Sequence, residues 1–304
     1  MKRAFVAGVA VVGTALFAYS IKALGLAGIR EAFVRMGWGF CGILFLSGAR
    51  EAVRTVAWTH TVEGPVRLSF PDAFRARLAG EALNALLPMG MLVGEPMKAE
   101  HVGHRLPFAT AFGALVVELA FYSTSLLLLF SAGVVALFPL STALFIIVMA
   151  PTVVPLVRNR NRRASQDHVA NVVTRVVERL RRLGDPVFRF ASLNPGRTRR
   201  LVALEAAFQL LAVAEVYLTL ALITPRHVAW TSALLLETVS RAVTIVFKML
   251  PMRIGVDEAG SAVFADRLGL GSATGITLAL VRRTRLLFWS AVGIVFVLMR
   301  PARP

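Results

Sequence analysis

The sequence predicts an all-α polytopic membrane protein, and three observations carry that prediction. The 304-residue chain is 57% hydrophobic with a mean hydropathy of +0.69, well above a soluble domain. Apolar runs of about 20 residues, the length that crosses a bilayer core, recur from end to end. Two of these runs are broken by proline and glycine and carry charge, a pattern that an ordinary spanning helix does not need. The expected architecture is about six full transmembrane helices plus two broken re-entrant hairpins in an inverted repeat.

The first crossing is expected at 4–20 and the second at 37–59. Lys2 and Arg3 place the N-terminus on the cytoplasmic side, where basic residues accumulate. The first run is longer than a signal-peptide core and no clean small-x-small site follows it, so it reads as an uncleaved helix. The second run holds Arg50, Glu51 and Arg54. Charges that deep face protein or water, and a local Glu51–Arg54 pair is the plain expectation. Cys41, the one cysteine, allows no internal disulfide or cysteine-based metal site and reads as packing.

A polar linker at 60–72 leads to a helix at 73–87, about 22 Å long and too short to cross. A break at 88–94 and a return at 95–104 complete the first hairpin. Its sequence, EALNALLPMGMLVGEPMK, contains Glu81, Asn84, Pro88, Gly90, Gly94, Glu95 and Lys98. Pro96 suits the first turn of the return helix, with Glu95 as a cap. Crossings at 107–138 and 141–157 close the first half, 1–157.

Segment 158–200 holds 12 arginines against Asp167, Glu178 and Asp185, which makes it the cytoplasmic anchor of the topology. Within it Val169, Val172, Val173, Val176, Val177, Leu180 and Leu183 share one helical face. That spacing predicts an amphipathic helix over 166–183 lying on the inner leaflet. The net charge of +17 belongs with such loops and anionic lipid, and no polar domain exists to carry it onto nucleic acid.

The second half, 201–304, repeats the plan. A crossing at 201–223 carries Glu205, Gln209 and Glu215. A helix at 227–250 enters, a break occupies 251–258, and 259–268 returns. LPMRIGVDEAG supplies Pro251, Arg253, Gly255, Asp257 and Glu258. In both hairpins a Leu-Pro-Met triplet precedes a glutamate seven residues after the proline. The last crossing, 272–299, holds Arg282, Arg283 and Arg285, and the C-terminus is placed inside. If 227–250 crosses completely, the inverted symmetry fails.

Discontinuous helices in inverted repeats mark transporter sites near the bilayer midplane, because free backbone groups are tolerated in lipid only where they line a cavity or are buried. The start of a half-helix suits an anion such as phosphate. Lys98, Arg241, Lys248, Arg253, Arg282 and Arg283 are candidates to hold a lipid phosphate. Glu81, Glu95, Glu118 and Glu258 are candidates for an amine or a proton, with Asn84 and Asp257 beside them. Each also has a structural reading: Glu237 and Arg241 pairing on one helix, Lys98 and Lys248 reaching an interface, Arg282–Arg285 pairing with Glu205 or Glu215. No cofactor is expected and no hydrolase, nucleotide or metalloprotease motif is present. His101 and His104 lack a third ligand for a metal.

The segments EALNALLPMGMLVGEPMKAEHV and LPMRIGVDEAG, with the arginine-bearing helix after the second, resemble the membrane region of lysylphosphatidylglycerol synthases. That flippase-like family includes stand-alone members found with hopanoid biosynthesis. In family terms Asn84, Pro88, Gly94, Glu95 and Lys98 match the first hairpin, and Pro251, Gly255 and Glu258 the second. The resemblance implies translocation of a membrane lipid, anionic, aminoacylated or hopanoid, in a bacterial inner membrane. It does not imply lipid synthesis, since the attached transferase of two-domain members is absent from the sequence. The competing expectation is a scaffold that recruits a lipid-modifying enzyme through the basic segment. The copy number stays open, a homodimer included.

Overall fold

The computed structural model describes residues 34, 36–87, 90–137, 185–224, 227–246 and 256–299. The crossings expected at 4–20 and 141–157, the amphipathic helix at 166–183, and Pro88, Lys248, Pro251, Arg253 and Gly255 lie outside them. The described secondary structure is helical. Besides a helical stretch at 185–193, the helices in chain order are α1 (Gly39–Thr61), α2 (Phe70–Leu86), α3 (Met91–His101), α4 (Phe108–Leu137), α5 (Pro195–Ile223), α6 (Trp230–Val246), α7 (Val256–Arg267) and α8 (Ser272–Leu298).

Local chemistry sets the ends. At the start of α2 the Ser69 hydroxyl accepts from the Asp72 backbone N–H at 3.4 Å and donates to the Asp72 carboxylate at 2.8 Å, with proline in the first turn. Both features favour a helix start. α2 stops at Leu86 because Leu87, which precedes Pro88, is extended at φ −86° and ψ 142°, the region to which a following proline confines it. Between α7 and α8, Gly269 and Gly271 take φ of +72° and +82°, open to glycine at little cost. That turn lets α8 fold back along α7.

Length separates two kinds of helix. At 1.5 Å per residue, α1, α4, α5 and α8 run roughly 34–45 Å, whereas α2 and α3 run roughly 16–26 Å and fall short of a ~30 Å hydrocarbon core. α6 and α7 border residues 247–255, which lie outside the described ones, and whether 227–250 crosses lies outside them too. Phe108–Gly133 of α4 and α5 are, among the described residues, the two spans both long and apolar enough to cross. α1 and α8 have the length but carry the charges noted above.

Each half has its own apolar core. Trp58, Ala73, Ala76, Ala99, Ala111 and Leu115 join α1–α4, and Val213, Leu220, Ala233, Leu236, Ala265 and Leu278 join α5–α8. The packing partners correspond between halves. α2 lies on α3 as α6 lies on α7; α3 lies on α4 as α7 lies on α8; α1 lies on α2 as α5 lies on α6. Across the middle, α2 packs on α8 and α6 on α4, while α1 meets α5 directly. The closest of these contacts depends on Gly293 of α8, where an added Cβ would run into the Leu78 carbonyl and the Ala82 methyl of α2.

Candidate functional site

Charge sits where the halves meet. On α1, Arg50 and Arg54 are four residues apart and so share a face. Arg50 donates to Glu215 of α5 at 2.7 Å. Arg54 donates twice to Glu118 of α4, at 2.9 and 3.1 Å. The expected Glu51–Arg54 pair is therefore not what forms. Glu51 instead accepts from Arg77 of α2 at 3.3 Å, because Glu118 offers Arg54 a two-pronged carboxylate, the geometry a guanidinium matches best.

Arg77 was not among the sequence candidates, yet it is fully buried and touches Glu51, Glu118 and, at 3.8 Å, Glu81. Its only sequence signal is the i,i+4 spacing to Glu81, which reads as an ordinary helix pair.

The first hairpin runs antiparallel. Lys98 of α3 donates to Glu81 of α2 at 2.6 Å and to Glu95 at 2.7 Å. Asn84 donates to Glu95 at 3.0 Å and to Glu81 at 3.4 Å. Lys98 is 1% exposed, so it does not reach an interface. The return helix also begins earlier than expected. Gly90 is its N-cap and Pro96 lies inside it, so Pro96 is not a first-turn residue and the Glu95 carboxylate turns to Asn84 and Lys98 instead of capping. The N–H groups of Val93 and Gly94 already find the Gly90 carbonyl, at 2.9 and 2.7 Å, which starts the helix before Glu95 arrives. A Cβ at Gly94 would strike Asn84 Oδ1 and the Gly80 carbonyl, so only glycine lets α2 and α3 close this tightly.

In the second half Asp257 and Glu258 occupy the first turn of α7, inside the helix and not in the break expected at 251–258, and Glu258 is paired with Arg283 of α8. Glu237 accepts from Arg241 at 2.7 Å on its own helix and from Arg282 of α8 at 3.0 Å. Arg285 goes to Glu215 at 2.7 Å, not to Glu205. Glu215 and Glu237 thus each hold two arginines.

Two aromatic rings fill the centre. Tyr122 and Phe208 meet edge to face at 5.7 Å. The Arg54 guanidinium lies 3.9 Å from the Tyr122 ring centre, and those of Arg50 and Arg241 lie 4.8 and 5.7 Å from Phe208. Such faces hold cations without neutralising them. The Tyr122 hydroxyl accepts from Arg241 at 3.0 Å. At one end Trp289 of α8 donates its indole N–H to Ser47 of α1 at 2.7 Å.

These residues enclose a cavity of about 580 Å³ between the halves, within the ordinary range for small-molecule sites. Of the candidates, Glu81, Asn84, Gly90, Glu95, Arg241, Asp257, Arg282 and Arg283 line it. Lys98, Glu118 and Glu258 do not; they reach it through Glu81, Arg54 and Arg283. Arg50, Glu51, Arg54, Glu215, Glu237 and Arg285 also line it. The sequence flagged several of these as charged without drawing them into the site.

Three buried polar atoms among the lining residues have no partner: Nε of Arg50, Nε of Arg285 and Oδ1 of Asn84. Buried polar atoms are ordinarily satisfied. Arg50 and Arg285 share one carboxylate, as do Arg241 and Arg282, so that wall carries excess positive charge. On the wall formed by α2 and α3 Lys98 stands between Glu81 and Glu95, leaving excess negative charge. The site is polarised. Among the described residues no group of three potential ligands is placed to hold a metal, and His104 lies 3.9 Å from Asp72 at the hairpin mouth. Cys41 is exposed, not the packing residue that its apolar stretch suggested.

No curated protein and no solved structure matches the chain. The family described as the lysylphosphatidylglycerol synthase TM region matches residues 5–293. With nearly the whole length so matched, and the charged hairpin sequences falling inside it, this chain is an integral membrane protein belonging to the lysylphosphatidylglycerol synthase transmembrane-region family.

Proposed function

We propose that the protein is a lipid flippase or scramblase that passes a phospholipid head group through the central cavity while the acyl chains stay in the bilayer. The polarised wall of unpartnered atoms carries this reading. A phosphodiester has the charge and the acceptor oxygens to complete Arg50 Nε and Arg285 Nε, and an amine has the donors to complete Asn84 Oδ1 beside Glu81 and Glu95. A head group bearing both fits both walls, which favours an aminoacylated or zwitterionic phospholipid over a neutral polar lipid.

The paired packing of α1–α4 and α5–α8 supports an inverted repeat in which α2–α3 and α6–α7 are re-entrant hairpins from opposite leaflets. With the basic segment 158–200 cytoplasmic, the N- and C-termini fall on the same side of a bacterial inner membrane. The activity is translocation without bond chemistry, and it needs no nucleotide.

The test is fluorescent-lipid movement in proteoliposomes. Arg285→Ala and Arg282→Ala are expected to slow all phospholipids about 10-fold or more, the loss of one buried charged hydrogen bond being worth roughly 1.5–3 kcal/mol. Glu95→Gln is expected to slow amine-bearing lipids selectively. Unchanged rates for both lipid classes in folded variants would remove the proposal. A wild type that moves no lipid but retains a lipid-modifying enzyme through 158–200 would favour the scaffold instead.

A further inference from the structure

One carboxylate in the protein's interior stands apart from the arginine pairs. Glu205 of α5 is 3% exposed, and no arginine or lysine bonds to it among the described residues. Its Oε2 lies 3.4 Å from the Ser125 hydroxyl of α4, whose one proton is shared with the Tyr122 carbonyl at 2.8 Å. Ser125 in turn accepts from Gln209 Nε2 at 2.9 Å. The two remaining oxygens, Glu205 Oε1 and Gln209 Oε1, are buried with no partner. They stand four residues apart on one face of α5.

Hydrogen-bond accounting exposes the problem. An ionised carboxylate only accepts, and an amide oxygen only accepts. The cluster therefore has one more acceptor than its donors can serve on each side of Ser125. A single added proton repairs it, because a protonated Glu205 gains an O–H that can donate within the cluster while its charge disappears from the interior.

The charged surroundings fit a group that changes state. Of the helices packed on α5, α1 brings Arg54, and α4 brings Glu118 and Ser125. Arg77 of α2 stands behind Glu118. Arg50 of α1 and Arg285 of α8 are held by Glu215, and Arg241 of α6 by Glu237. Arg54 is thus the near cation, and it feels both carboxylates, Glu118 and Glu205. It also lines the cavity.

We infer that Glu205 is the proton-binding site that couples lipid movement to a pH gradient. This rests on the translocation reading above. In the protonated state Arg54 stays with Glu118. Glu205 does not itself line the cavity, whereas Arg54 does; when the proton passes to solvent by way of that neighbour's side of the cluster, the new carboxylate draws Arg54 toward α5 and loosens the α1–α4 tie that forms part of the cavity wall. Glu95 and Glu258, among the earlier candidates for an amine or a proton, are each ion-paired, with Lys98 and with Arg283.

The experiment uses the full chain in proteoliposomes with an imposed pH gradient and an entrapped pH-sensitive dye. Wild type is expected to show lipid-dependent proton flux and a rate of lipid movement that rises with the gradient. Glu205→Gln should lose both responses. Ser125→Ala, which removes the donor that favours the ionised form, should shift the pH midpoint of lipid movement upward by about 0.5–1 unit. As a check independent of transport, the infrared carbonyl band of a titrating carboxylic acid should be present in wild type and absent in Glu205→Gln. A wild type that moves lipid with no dependence on pH, or a Glu205→Gln protein that keeps its gradient response or that band, overturns this inference and leaves translocation standing. A wild type that moves no lipid under any gradient removes both.

Discussion

Lys98 condenses the problem of placing charge in an apolar body. It is buried between two glutamates, and its side chain packs where a Cβ on Gly80 would have to go. Replacing it with methionine keeps the stem and removes the charge, leaving Glu81 and Glu95 to repel across the hairpin. A loss of about 3 kcal/mol is expected, the usual result of breaking one side of a buried pair, and a lower Tm in detergent would register it. Asp72 offers a pH test at the protein's edge. Burial works against its charge, yet the Ser69 hydroxyl and the nearby Arg105 and His104 hold its carboxyl below the usual carboxylate range. Because the folded value is depressed, the stabilisation is present above the unfolded value of about 3.9 and is lost as pH falls through the folded one. Thermal unfolding followed below about pH 4 should show that loss in wild type and not in Asp72→Asn. At this scale the sequence disclosed which residues were charged, because charge in an apolar run needs a reason. It did not disclose partners. Arg77 meets Glu118 41 residues away, and no local spacing encodes such a contact.

The hairpin of α2 and α3 is the element on which the candidate site depends. Its existence was legible from Pro88 and the glycines around it, since a proline in the middle of a short apolar helix stops it. The start of α3 was not legible, because Pro96 is an equally good signal for a helix start and only the backbone bonds to Gly90 decide against it. Gly94→Ala provides the test. The methyl would meet Asn84 and the Gly80 carbonyl, so α3 must back away from α2. The expected result is a destabilisation of about 1–3 kcal/mol and a loss of lipid movement larger than Lys98→Met causes, measured in the same liposomes.

Across the whole molecule, two apolar cores flank a polar seam. The seam explains why α1 and α8 have the length to cross but lack the uninterrupted apolar span found in α4 and α5: their charged faces look inward, toward each other's half, and only their remaining faces meet the surroundings. The repeated Pro-to-Glu spacing pointed to two related halves, and the packing partners of α1–α4 and α5–α8 correspond. The role of α1 as the helix that meets α5 directly was not, because its three charges looked like a local pair. Arg54 and Glu118 test the seam as a unit. Arg54→Leu or Glu118→Leu alone strands a buried charge and should cost roughly 3–5 kcal/mol, while the double replacement should cost less than the sum of the two. Chemical unfolding of all three variants measures the difference.

The bond between Trp289 and Ser47 has a practical consequence. The indole sits at the cavity's end and bridges α8 to α1, and the chain has 4 tryptophans in all. With Trp38, Trp58 and Trp230 changed to phenylalanine, the remaining fluorophore becomes an optical gauge of the compartment's wetness. Its emission colour should move toward the blue when a guest displaces solvent there, and reading that colour requires neither labelled cargo nor a vesicle.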